Sequence, residues 1–212
     1  MNGRILTAEE HVRIAAAIRT AEARTSGEIT CVLARRSDSY YYPAAFAIMV
    51  ALLAASLIAA LVIDRFWIAV PLWQFAAAQV FSLAASLALL GWLPSLRIRL
   101  VPKALRYRRA HRNAVSQFLA RNIHVTESRT GVLIFLSLAE HYAEIVADAG
   151  INAHVSQDKW NAIVGDLIAH AARGEIAAGF EGAIAASGEV LAGAFPPASG
   201  GANELDDHLV EI

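Results

Sequence analysis

Seven histidines, one cysteine and a scatter of acids are the side chains that could do chemistry in this chain. His11, His111, His124, His141, His154, His170 and His208 include no HExxH and no paired-ligand spacing, so isolated surface imidazoles explain them. Gly27, Gly131, Gly150 and Gly165 stand alone, without a GxxxxGK[ST] run to cradle phosphates. There is no G-x-S-x-G elbow, and Ser187-Gly188 falls inside a helical pattern. Cys31 lies in an apolar stretch and reads as a small buried hydrophobe rather than a nucleophile; being alone, it excludes an intramolecular disulfide framework. The densest charge is LRYRRAHRN, residues 105–113. Phosphate contacts to nucleic acid would use such a patch, but its place directly after an apolar span favours anionic lipid headgroups, and no nucleic acid is expected.

Those residues must be positioned by elements, and the most conspicuous stretch is apolar. Ala44 to Ile63 is twenty residues without a charge, and after Asp64-Arg65 a second uncharged run extends from Phe66 to Leu93. At 1.5 Å per residue, twenty residues reach roughly 30 Å, the thickness of a bilayer's hydrocarbon core. The expectation is a transmembrane hairpin over 37–94, with spans at about 44–63 and 66–93. Ala51, Ala55 and Ala59 on one span, and Ala78, Ser82 and Ser86 on the other, recur every fourth residue and permit close helix approach. No ionisable group lies inside either run, which argues against a transport path. The first run begins about 40 residues in and exceeds the roughly 7–15 residues of a signal-peptide core, so a permanent anchor is expected.

Charge is asymmetric behind a net value of −1. Through His124 there are 15 Lys+Arg against 6 Asp+Glu; from Val125 onward, 3 against 13. Arg35 and Arg36 precede the first span. Arg97, Arg99, Lys103, Arg106, Arg108, Arg109 and Arg112 follow the second, while the intervening turn offers only Arg65. The positive-inside rule then puts both termini in the cytoplasm and the two spans in the plasma (inner) membrane, with the basic residues at the membrane surface.

The remaining sequence reads as alternating helices and strands. Thr7-Ala8-Glu9-Glu10 is a capping box opening a helix over 8–24, and Glu28 to Ala34 reads as a buried strand. Tyr40-Tyr41-Tyr42 fits the aromatic interfacial belt. A helix runs through the basic stretch to about Asn122. Thr130–Leu138 reads as a central strand and His141–Asp148 as a second, antiparallel to it. Ser156 caps a helix that Arg173-Gly174 ends; another from Ile176 stops at Phe195-Pro196-Pro197. The tail, 198–212, is Gly/Ser-rich and then acidic, and is expected to be flexible.

In this order the residues resemble a known family. Thr7–Leu33, with Glu22-Ala23-Arg24-Thr25-Ser26-Gly27-Glu28-Ile29, resembles the start of a TPM domain, named for a thylakoid phosphatase-like protein, a photosystem repair protein and a nematode receptor modulator. The stronger match is Gly131-Val132-Leu133-Ile134-Phe135-Leu136-Ser137-Leu138-Ala139-Glu140 running into Glu144-Ile145-Val146-Ala147-Asp148-Ala149-Gly150-Ile151. The resemblance implies an α/β fold, a three-layer Rossmann-like sandwich with a mixed sheet, interrupted by the inserted transmembrane hairpin. Residues 1–36 would supply its first helix and strand, and 95–197 the remainder. It also implies either phosphatase activity with divalent-cation binding or an accessory role in assembling membrane complexes. Glu22, Glu28, Glu140 and Asp148 match the family's acidic positions and would be hard-oxygen ligands for Ca²⁺ or Mg²⁺; pairing with Arg24 and Arg129, or a solvated rim, is the competing reading. With no catalytic constellation beside a permanent anchor, the expected function is a non-catalytic accessory or assembly factor. It would bind a protein partner or self-associate at the cytoplasmic membrane face, the alternative being a metal-dependent phosphatase.

Overall fold

The structure, a computed structural model, describes residues 4–125, 129–197 and 208–212. It divides into two compact units: residues 38–106, and a second unit built from residues 1–37 and 107–212. Residues 94–106, which follow the second apolar run, group with the hairpin.

The larger unit opens with α1, Ala8–Glu22. The capping box forms: Glu10 N–H donates to Thr7 Oγ1 at 3.2 Å, and Thr7 N–H donates to the Glu10 carboxylate at 2.7 Å. Those bonds hold the Glu10 carboxyl below the usual range, the Thr7 backbone first and its hydroxyl second. The helix ends at Glu22, two residues before position 24, and the chain leaves it through tighter turns in which Arg24 N–H donates to the Ala21 carbonyl and Thr25 N–H to the Glu22 carbonyl, both at 3.1 Å; the Thr25 hydroxyl donates to the Phe195 carbonyl at 2.6 Å. Strand β1, Glu28–Ala34, follows, buried throughout except at Glu28.

After the hairpin come α5 (Lys103–Ala120), β2 (Gly131–Ser137), β3 (Tyr142–Ala147), the short α6 (Ala149–Asn152), α7 (Gln157–Ala172), α8 (Ile176–Ala194) and β4 (Leu209–Glu211). The strands make one mixed sheet in the order β3-β2-β1-β4. Strand β1 is parallel to both β2 and β4, while β2 and β3 are antiparallel, as a tight connection through Leu138–His141 requires. Alternation along β1 and β2 sends side chains to both faces. Ile29, Cys31, Leu33, Val132 and Ile134 pack with Ile14 and Ile18 of α1, Trp160 and Leu167 of α7, and Phe180 and Ile184 of α8. Val32, Ala34, Leu133 and Phe135 pack with Ala114 and Phe118 of α5 and with Ile123. Continuous apolar strands are what a sheet covered on two faces needs.

Two glycines set how closely elements approach. A Cβ at Gly131 would lie 2.3 Å from the Ile123 carbonyl oxygen, and one at Gly188 would lie 2.7 Å from Ala21 Cβ, where α8 crosses α1. At Gly174, φ of +81° closes α7 in the left-handed conformation that glycine adopts at no steric cost. Ser156 occupies the N-cap of α7 without a side-chain hydrogen bond.

The tail expectation needs correction. Its acids Glu204, Asp206 and Asp207 lie outside the described residues, but Leu209–Glu211 is a strand. Leu209 is buried in the main core, and Arg35 N–H donates to the Ile212 carbonyl at 2.9 Å. The cause is an edge: β1 has backbone groups to satisfy on the side away from β2, and this segment supplies them.

The smaller unit holds the hairpin. Helix α2 spans Tyr41–Arg65 and α3 spans Leu72–Trp92. Both are long and apolar enough to cross a membrane, and almost nothing of either is buried within the molecule, unlike a soluble core helix. Their apolar surface includes Leu57, Leu61, Val80 and Phe81. The turn is wider than Asp64-Arg65 alone. Pro71, lacking an N–H, stands at the N-cap of α3, and Trp67 takes a φ of +53°. Gln79 Nε2–H donates to Ser56 Oγ at 2.5 Å, linking the two helices. At the base, α4 (Pro94–Arg99) follows, and a small core gathers Tyr40, Ala44, Leu90 and Val101. The tyrosine run is therefore split: Tyr40 is buried while Tyr42 is exposed.

Candidate functional site

Register decides which of the four candidate ligands can meet. Glu28 faces Gly131 across β1 and β2, and Asp148 N–H donates to the Gly131 carbonyl at 3.0 Å. Glu28, on β1, and Asp148, just after β3, therefore lie at the same end of the sheet with β2 between them. Glu22, at the end of α1, joins that end because its carboxylate accepts the Ile29 N–H at 2.8 Å. Asp148 caps α6 through Oδ1, which accepts the Ala149 N–H. Its Oδ2 is buried without a hydrogen-bond partner, an exposed cost that buried carboxylates rarely carry.

Glu140 is at the opposite end. It follows Ser137, whose register partners are Ala34 and Tyr142. A seven-residue strand at about 3.3 Å per residue separates the two ends by roughly 20 Å, whereas carboxylate oxygens ligate Ca²⁺ or Mg²⁺ at about 2.0–2.6 Å. The expected set of four is corrected to this division. Among the described residues no group of three or more His, Cys, Asp or Glu side chains converges as a metal site. Glu140 is instead a buried structural acceptor. It takes the Ser37 N–H at 2.9 Å and the Ser137 hydroxyl, while the Ser37 and Ser137 hydroxyls lie 2.9 Å apart. This cluster pins the last residue before the chain leaves for the hairpin.

Two polar clusters were not read from sequence. Glu211 of β4 accepts the Ile5 N–H at 2.7 Å and the Leu6 N–H at 3.0 Å, and meets His11 Nε2 at 3.0 Å. Burial alone pushes this carboxyl up, but the two backbone donors and His11 together outweigh it and hold it below the usual range. Beside it a cleft of about 640 Å³ is lined by Arg4, His11, Arg35 and His208. The second cluster joins α5 to β3: His111 Nδ1 lies 2.9 Å from the Glu144 carboxylate, and Tyr142 OH donates to Glu144 at 2.9 Å. The Tyr142 hydroxyl is pushed well above its ordinary range by burial, then by the Glu144 charge. His11 and His111 are thus engaged rather than isolated. Separations of 200 and 33 residues hide both pairs from any motif. Cys31 is fully buried, which drives its thiol far up and leaves it unreactive.

The basic residues divide too. Arg97 caps α3: its Nε–H donates to the Leu90 carbonyl at 2.6 Å and its Nη2–H to the Gly91 carbonyl at 2.8 Å. Its guanidinium also lies 5.4 Å from the Tyr41 ring centroid. Arg99 and Lys103 are exposed, and Arg106 is half-buried. In the other unit Arg108 and Arg112 are exposed and Arg109 is half-buried.

No protein-family model matches the chain, and no curated protein matches it. Among solved structures, it is similar to the NMR structure of the BA42 protein from the psychrophilic bacterium Bizionia argentinensis. The two share 21% identity, with a TM-score of 0.61, over 100% of this chain and 98% of that one. At that identity the likeness is one of fold.

Proposed function

We propose that this protein is a membrane-anchored accessory domain of TPM type, with a Rossmann-like three-layer sandwich that binds a protein partner at the cytoplasmic membrane face. The observation that carries it is the insertion point. Two exposed apolar helices enter between β1 and β2, which are hydrogen-bonded neighbours in one sheet. A hairpin inserted between paired strands crosses the bilayer and returns, so both soluble segments share one side. The surplus of Arg and Lys flanking the hairpin supports a cytoplasmic placement of that side at the inner membrane, where exposed Arg99, Lys103, Arg108 and Arg112 are suited to anionic headgroups. The test is topology mapping with single cysteines at Ser39, Ile68 and His208 in Cys31→Ala protein. The expected outcome is labelling by a membrane-impermeant maleimide at position 68 from the outside, and at 39 and 208 only after the cytoplasmic side is opened. Labelling of 39 or 208 from outside would overturn the placement.

One observation favours a second reading, a metal-dependent phosphatase: the buried, unpartnered Oδ2 of Asp148, at the sheet end that also carries Glu28. Ca²⁺ or Mg²⁺ would satisfy that oxygen. This reading expects phosphoester turnover that needs the cation and disappears in Asp148→Asn; equal rates in the variant would dismiss it.

A further inference from the structure

Helices α2 and α3 are long and apolar enough to cross a membrane, and almost nothing in the molecule covers them. In hydrocarbon, polar groups have no water to answer them. Ser82 and Ser86 solve this within α3: their hydroxyls donate to the Ala78 and Ser82 carbonyls, each at 2.7 Å. Gln79 does not. At 1.5 Å per residue it stands about 10 Å along α3 from Leu72, roughly a third of the way through the span. Its carboxamide carries two N–H donors and a carbonyl acceptor. One N–H donates to Ser56 Oγ of α2 at 2.5 Å. The other N–H and the carbonyl have no hydrogen-bond partner among the described residues, and Gln79 is exposed.

The surroundings let another helix come close. Gln79 lines a groove of about 280 Å³ between the two helices, with Ala55, Ser56 and Ala59 on one wall and Ala78 and Ser82 on the other. Small residues allow backbones to approach until short polar side chains can meet. The groove by itself does not name its occupant; the carboxamide does. What Gln79 leaves unanswered is one donor and one acceptor on the same planar group. That pair is its own complement, so a two-fold axis beside Gln79 answers both with reciprocal bonds. A helix of other sequence would have to bring a donor and an acceptor to that one depth. Nor does a second copy set charge against charge, because the runs 44–63 and 66–93 hold no ionisable side chain.

We propose that the hairpin pairs inside the bilayer with the hairpin of a second copy of this chain, the two Gln79 carboxamides hydrogen-bonded to each other across a two-fold axis. The pairing needs the hairpin to lie in hydrocarbon and is independent of the accessory role.

Liposomes holding the full chain give the test, with Cys31→Ala, Ser39→Cys protein labelled with a donor or an acceptor dye. Energy transfer should rise with the protein-to-lipid ratio along a saturable monomer–dimer curve. Gln79→Leu should move the midpoint to a ratio about fivefold or more higher, the scale of one to two interhelical hydrogen bonds. Gln74→Leu, the same change at the third residue of α3, should leave the midpoint in place. In Cys31→Ala protein, Leu83→Cys lies on the Gln79 side of α3 and should form disulfide dimers when native membranes are oxidised. Ala84→Cys is turned roughly 140° from Gln79, at about 100° per residue, and should not. Transfer no greater than random proximity, or a midpoint that Gln79→Leu leaves unchanged, would overturn the pairing. So would equal disulfide dimers from positions 83 and 84, or crosslinks from position 83 to another protein only. Release of the protein from membranes by alkaline carbonate would remove the hydrocarbon setting and the pairing with it, whereas loss of the pairing alone would leave the bilayer crossing and the accessory reading standing.

Discussion

Glu211 ties the N-terminal segment to the C-terminal strand through two backbone N–H groups and His11. Its carboxyl is held below its unfolded value, so its contribution to stability is fully present above the unfolded carboxylate pKa and is lost as pH falls through the folded one. Glu211→Gln should therefore destabilise β4 at neutral pH by about 1–2 kcal/mol, a few hydrogen bonds to a charged acceptor discounted for partial exposure. The gap between variant and wild type should close in acid. Amide exchange of Leu209 and Val210 at pH 7 and at pH 3.5 would measure it, and an equal gap at both would refute the account. Glu140 makes a different kind of prediction, because it is buried with two donors aimed at it. Glu140→Ala should cost about 1–3 kcal/mol by stranding the Ser37 N–H and the Ser137 hydroxyl, read by urea unfolding of the larger unit. Metal-dependent stability would be unchanged, since Glu140 is at the wrong end of the sheet to be a ligand.

Among elements, spacing between helix and helix is set by a missing Cβ. Gly188→Ala would place a methyl 2.7 Å from Ala21 Cβ and push α8 off α1, at a cost of about 1–3 kcal/mol. Gly165 on α7 is the matched control, because a Cβ there meets nothing within 4 Å. Gly165→Ala should stabilise by about 0.5–1 kcal/mol through helix propensity alone. Thermal unfolding followed by circular dichroism would show opposite shifts for the two variants; same-sign shifts would mean that backbone freedom rather than contact governs both.

At the scale of the molecule, the two compact units have separate cores, one around the sheet and one at the hairpin base. Replacing residues 38–106 by a flexible Gly/Ser linker should leave a water-soluble protein with its mixed sheet intact, since the larger unit contains all four strands and the cover on both sheet faces. Far-UV circular dichroism and cooperative unfolding would check it; an aggregated or molten product would show that the hairpin completes the fold.

Local signals were strong enough to be legible without coordinates. The capping box at Thr7, the uncharged runs that became α2 and α3, the apolar strands β1 and β2, and the antiparallel return of β3 all depend on periodicity or on neighbours within a few residues. Hydrogen-bond and solvation demands of that range are written in the sequence directly. What tertiary structure alone decided is everything that register and long separation govern. Glu28 and Asp148 share a sheet end while Glu140 does not, because strand direction rather than residue type sets which end a side chain reaches. Leu209–Glu211, at the end of the tail, became a strand because β1 had an open edge to fill, and His11 found Glu211 only once that strand was in place. Such pairings are products of the folded sheet, and no local pattern of residues encodes them.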